Sequence, residues 1–295
     1  MWLVVSSRIC QSQRFSFFLT LITNTANNNL TGVVPSEVAA ISTLEGLDFG
    51  NNELYGTIPP TIVQLSHLEY INFGNNFLTG SIPKSFEGLS SLEILILREN
   101  LLTGTIPPGL TTIESLEVIH LEFNNITGTI PDFAQQKNLR TVDVRNNELY
   151  GPIPTSIMDL PRLEILNLGV NMLTGSIPSE IGQLVELIEL DLEQNWITDS
   201  IPTTIGQLEF LEFIIFYASN LNGTIPTELG QLSSLSYGDF AVNQFTGTLP
   251  SELGLLEYVN TLYLEENDFV GTVPVDLSTL SNLGKPMTER SVLCI

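Results

Sequence analysis

An aliphatic residue followed by proline returns along this chain at Pro35, Pro59, Pro83, Pro107, Pro131, Pro154, Pro178, Pro202, Pro226, Pro250 and Pro274. The steps are 24 residues long, except for the 23 between Pro131 and Pro154. Ahead of each proline one frame comes back. It reads Leu44, Leu47, Phe49, Asn52, Leu54, Gly56, Ile58 in one unit and Leu163, Leu166, Leu168, Asn171, Leu173, Gly175, Ile177 in another. A unit this short cannot bury its own apolar face, so neighbouring units must stack. Leu47-Asp48-Phe49 alternates apolar and polar, the period of a half-buried strand. Strands of successive units then run parallel, about 4.8 Å apart. Asn52 and its equivalents stand where each strand ends, and a stacked asparagine column can satisfy the backbone groups that the turn buries. Asn51 and Asn75, one residue earlier in their units, have no such task and are expected to tolerate substitution. Gly56 and its equivalents permit a tight bend with φ > 0. The proline ends the extended piece that follows and offers no donor.

The frame LxxLxLxxNxLxGxIP resembles the plant-type leucine-rich repeat family, from about Asn28 to Leu283. The resemblance implies an α/β fold: a right-handed solenoid with a parallel sheet on its concave face and short 3-10 or irregular segments on its convex face. It says much about fold and little about function. Departures from the frame mark weak points. Asp199 replaces the glycine, Ser219 the ladder asparagine and Gly238 a core leucine, so the units from Ile201 to Pro250 are expected to be the least regular. The missing residue after Pro131 falls on the convex side, before Leu139, which leaves the strand register intact.

Three segments follow: residues 1–26 ahead of the repeat, 27–283 as a solenoid of about eleven units, and 284–295 as a tail. In the first, Thr20, Thr23 and Thr25 stand where strand leucines belong. Arg8 and Arg14, the absence of acidic residues and the apolar run from Phe15 to Ile22 resemble a secretory signal cleaved near Ala26. Eight such residues are too few to span about 30 Å of hydrocarbon, so no membrane insertion is expected. Pro286 and Thr288 occupy the next strand positions after Leu283, and Cys10 with Cys294 cannot supply the paired caps of plant-type ectodomains. The chain therefore reads as a fragment of a larger protein or a solenoid with improvised ends.

Charge excludes several partners. Lys and Arg number 10 against 33 Asp and Glu, a net charge of -23. Phosphate binding needs the cations this chain lacks, which argues against nucleic acid and anionic lipid. At 43% hydrophobic residues the chain is no disordered acidic tail. Two cysteines provide neither a disulfide framework nor a zinc cluster.

Nothing in the sequence assembles into catalysis. His67 reads as a surface residue; His120 projects to the concave face between Ile96 and Asp143, which offers an Asp–His pair but no nucleophile. Gly284-Lys285 lacks the upstream glycine of a phosphate loop. Carboxylates on an open sheet lack the desolvated pocket that general acid catalysis needs. No enzyme activity, cofactor or metal is expected. Asn29, Asn125 and Asn222 open Asn-x-Thr sequons, permitting N-glycosylation on a secretory route, although the repeat itself favours such triplets.

Function is expected at the variable outward strand positions. The most apolar of these are Phe213, Ile215 and Tyr217, joined by Tyr237 and, one coil on, Tyr263. Ile94, Ile96 and Val118 make a second apolar group. Between the two, Glu189, Asp191 and Glu193 form an acidic strand face, expected to be solvated. Its carboxylates are spaced about 6.6–7 Å apart, too widely for a tight calcium cage. The resulting expectation is a concave site for a protein, peptide or glycan ligand, neutral or basic in charge. The resemblance implies the ectodomain, or a fragment of it, of a receptor-like protein or receptor kinase, extracellular or at the cell surface. A secreted or wall-associated enzyme inhibitor and an intracellular scaffold are the alternatives, which glycan occupancy at the three sequons would help to separate.

Overall fold

The computed structural model describes residues 21–283 and 293–294. Expectations for residues 1–20, including Cys10, and for Gly284, Lys285, Pro286 and Thr288 fall outside the described residues. Twelve parallel strands make one continuous sheet in chain order, starting at Leu21–Asn24 and Leu44–Asp48 and running to Thr261–Tyr263 and Leu293–Cys294. Each strand pairs with its equivalent one coil on: Tyr70 with Ile94, Ile94 with Val118, Val118 with Thr141. Both end strands lie inside stretches expected to fall outside the repeat. Backbone pairing explains this, because an edge N–H or C=O needs a partner and not a leucine.

Ten 3-10 segments among the described residues, from Ser36–Ala40 to Val275–Thr279, form the opposite side, most of them directly behind a repeat proline. Between the layers lies one continuous core, in which the frame positions Leu44, Leu47, Leu163 and Leu166 are fully buried. No helix among the described residues is long and apolar enough to cross a membrane.

The asparagine column behaves as the frame requires. Asn171 Oδ1 accepts from Leu149 N–H at 2.9 Å, and its Nδ2 donates to the carbonyls of Leu168 (3.0 Å), Val144 and Gly169 (both 3.1 Å). One side chain thus ties two coils together. The residue before each ladder asparagine is left-handed whatever its identity: Asn51 at φ +53°, Asn75 at +54°, and even Val170 at +52° and Val242 at +56°. Asn51 and Asn75 therefore carry a backbone role that the frame alone does not show.

Irregularity falls on the flank and not on the concave sheet. A second ladder follows the asparagine column in three pieces, and one break separates Trp196–Thr198 from Asn222–Gly223. There Asp199 takes the glycine's left-handed conformation at φ +67°. Ser219 stands in for asparagine, its Oγ donating to Leu192 C=O at 2.7 Å. The concave strands continue through this region unbroken. The vacancy at Gly238 is filled by Phe240: a Cβ on Gly238 would lie 2.9 Å from that ring. Another break lies after Leu101–Thr103, where an isolated bridge joins Thr105 and Thr127 and Asn125 N–H still donates to Leu102 C=O at 2.9 Å.

Candidate functional site

Successive outward positions of a strand lie on the same face, so sheet register decides which side chains meet. Glu189 pairs with Phe213 and Phe213 with Tyr237; Asp191 pairs with Ile215, Ile215 with Asp239, and Asp239 with Tyr263. The five apolar residues singled out from the sequence thus occupy three adjacent strands of one face, interrupted by Asp239. All five are half-buried. Tyr237 and Tyr263 meet edge to face with ring centroids 6.0 Å apart. Burial and the nearby Asp239 carboxylate hold the Tyr237 hydroxyl in its neutral form well above the usual phenol range.

The acidic strand face is less solvated than its pattern suggested. Asp191 is only 2% exposed, and its Oδ1 accepts from Glu193 N–H at 2.9 Å. Burial pushes its carboxyl up to about 7 and raises Glu193 in the same direction. Asp239 is pushed up to about 6, again chiefly by burial. The cause is packing: Gly169 has no side chain at the third outward position, and the Asp191 carboxylate lies across the gap, 2.6 Å from where a Cβ would sit. The expectation of a solvated strip fails at its central residue.

His120 is a half-buried histidine paired with a carboxylate other than Asp143. It pairs in register with Ile96 and Asp143, yet its Nδ1 meets Glu122 Oε2, two residues along its own strand, at 3.2 Å. Arg98 reaches Glu122 at 3.7 Å and Arg145 reaches Asp143 at 3.2 Å. His120, Glu122 and Asp143 can bring ligand atoms within 4.8 Å of one another, but both carboxylates already face guanidinium groups, so the cluster is an ion-paired network. Sequence reasoning passed over Glu122, Arg98, Arg145 and Asn167, although all four stand at outward positions of the same frame.

The leucine rich repeat family model matches residues 42–102, 66–126 and 137–197. A solved structure of the Leptospira interrogans LRR protein LIC12759 is 30% identical, with 88% of this chain and 69% of that chain covered and a TM-score of 0.71. The chain belongs to the leucine-rich repeat proteins. This leucine-rich repeat solenoid is also similar to two further solved structures. One is the crystal structure of PEPR1–AtPEP1, 30% identical over 87% of this chain at a TM-score of 0.76. Another is the plant peptide hormone receptor RGFR1 in complex with RGF2, 31% identical over 86% at 0.68. The chain spans 40% and 49% of those two chains, respectively. A search of the curated proteins gave no match.

The most exposed large apolar side chains of this leucine-rich repeat protein lie elsewhere than the concave face. Phe77, Leu101 and Phe123 are about half exposed along the flank next to the asparagine column, where they line an open depression of about 520 Å³ with Asn76, Glu99 and Asn100. Trp196 is exposed at the position equivalent to Phe77 and Leu101. Phe77, Leu101 and Trp196 stand directly after a ladder asparagine, whereas Phe123 stands directly before Asn124, at the left-handed position of its coil. Of the sequon asparagines, Asn29 and Asn125 are exposed and Asn222 is half-buried; His67 is exposed.

Proposed function

We propose that this protein is a non-catalytic recognition module that holds a peptide or protein ligand on its concave face, as part of a receptor-like ectodomain outside the cell. The observation that carries this reading is the register that collects Phe213, Ile215, Tyr217, Tyr237 and Tyr263 on adjacent strands, beside Glu189, Asp191 and Glu193. Aromatic anchors dominate interface energies because they bury much apolar area at small entropic cost. The similar structures include a plant peptide hormone receptor, which supports a peptide as the ligand class. The acidic flank would speed the approach of a basic ligand more than it tightens the hold.

The competing role for these rings is lateral packing along the sheet. Tyr217→Ala and Phe213→Ala are expected to abolish ligand binding while unfolding stays cooperative and nearly as stable. Several kcal/mol of lost stability, or undiminished binding, would assign the rings to the scaffold.

A further inference from the structure

The apolar row on the flank is bounded at both ends by asparagines of Asn-x-Thr sequons. Asn29, Glu53, Phe77, Leu101 and Asn125 stand at equivalent positions, each directly after a ladder asparagine. Asn125 thus follows Leu101 one coil on, and its N–H donates to Leu102 C=O at 2.9 Å. Phe123 and Asn125 are exposed on either side of buried Asn124, and Phe123 forms one wall of the open depression of about 520 Å³ that Phe77 and Leu101 also line. The Asn125 side-chain amide makes no hydrogen bond with the described residues. The repeat accounts for the threonine of this sequon, since Thr127 precedes Gly128 as Thr79 precedes Gly80, but it leaves the position of Asn125 variable. Asn29 has Asn27 two residues before it and Asn222 has Asn220, so of the three sequons Asn125 alone has an aromatic ring there.

We propose that Asn125 carries an N-linked glycan whose first sugars lie in this depression, against Phe123 and Leu101. The inference rests on the proposed position outside the cell, because such glycans are added on the secretory route. Transfer forms a bond from Asn125 Nδ2 to the anomeric carbon of a lipid-diphosphate-linked oligosaccharide. It breaks that carbon's bond to the phosphate oxygen and releases the lipid diphosphate with one amide proton. One face of a sugar ring presents C–H bonds, whose positive ends suit the negative face of an aromatic ring. The sugar hydroxyls find an acceptor in the exposed Glu99 carboxylate of the same depression. A contiguous exposed apolar patch with polar groups at its edge is the usual mark of a binding surface, and a sugar tethered at its end docks without the cost of a second molecule. In the folded coil Thr127 Oγ1 donates to Gly104 C=O at 3.1 Å, so the sequon is read before that coil closes.

Mass spectrometry of the protein purified from its natural source reads occupancy at the three sequons, and a glycan at Asn125 is expected. No glycan at any of them overturns the extracellular reading and this inference with it. A glycan at Asn29 or Asn222 with Asn125 empty overturns this inference alone. The seat of the sugars is tested on the full chain carrying Asn29→Gln and Asn222→Gln, secreted from insect cells behind a supplied leader. Against the same chain made without glycan in bacteria, the melting temperature should rise by about 2 °C or more, the scale of one aromatic contact in a chain of this size. Phe123→Ala should remove that gain. Comparing gains and not absolute melting temperatures cancels the backbone effect of Phe123→Ala. A second readout is nuclear magnetic resonance of the glycosylated chain, in which the Phe123 ring current should move the acetyl methyl protons of the first sugar upfield. An equal gain in Phe123→Ala, or acetyl protons at the position they take in the free glycan, places the sugars elsewhere and overturns the inference.

Discussion

Single side chains join the coils of this solenoid, and the asparagine column is the clearest case. Asn124 and Asn171 are buried and bond the backbone of two coils each. Replacing either by Ala leaves several groups unpaired and should cost about 1–3 kcal/mol. Asn51 and Asn75 are left-handed, so Asn→Ala there should cost on the order of 1 kcal/mol through the backbone, whereas Asn→Gly should be silent. Val170, a β-branched residue at φ +52°, should gain stability as Val170→Gly. Urea midpoints across this set check the assignment, and equal effects of Ala and Gly at Asn51 would count against it. A second residue-scale effect is titration. Asp191 at about 7 and Asp239 at about 6 bind protons more tightly when folded than the ordinary aspartate of the unfolded chain. Between about pH 4 and pH 7 the unfolded state therefore holds fewer protons, and stability falls as pH rises through that window. Burial shifts Asp143, Glu193 and Glu93 the same way. Melting temperature should drop from pH 5 to pH 8 at constant ionic strength, and Asp191→Asn should flatten much of the slope.

Among the elements, the shortened coil after Pro131 shows how one residue can be lost without breaking the sheet. Where most other coils have a 3-10 segment behind the proline, this one has turns only. Gln136 is fully buried there, and its Nε2 donates to the carbonyls of Leu110 and Ile113 in the preceding coil, at 3.0 and 2.7 Å. A side-chain amide thus ties the shortened coil to the one before it. Gln136→Ala is expected to cost about 1–3 kcal/mol by removing two buried hydrogen bonds between coils, while the exposed neighbour Gln135→Ala should change little. Thermal unfolding of the two variants compares them directly. The sequence placed the deletion correctly on the convex side, but nothing in it named Gln136, because a lone glutamine in a polar stretch reads as surface. Gly238 is similar: the missing leucine marked a less regular unit, and the neighbouring Phe240 ring closed the space there.

The whole molecule is electrostatically lopsided. From Leu163 to Gly284 there is no Lys or Arg, while 17 acidic residues run from Glu164 to Asp276. The ion pairs among the described residues are confined to the coils between Arg98 and Glu164. Like charges on coils about 4.8 Å apart repel, and screening acts over about 10 Å at 0.1 M salt. Stability should therefore rise from low to physiological ionic strength, and a melting temperature indifferent to salt would contradict this. The sequence by itself determined the repeat, the stacking, the core leucines, the asparagine column and the list of outward residues. These follow from a periodic pattern in which each coil meets only its neighbours, so local spacing fixes the contact. Tertiary structure alone decided that His120 bonds Glu122, that Asp191 is buried beside Gly169 and that Asn167 keeps an acceptor unpaired. Those outcomes depend on side-chain reach and on desolvation across several coils at once, neither of which a pattern of residue types encodes.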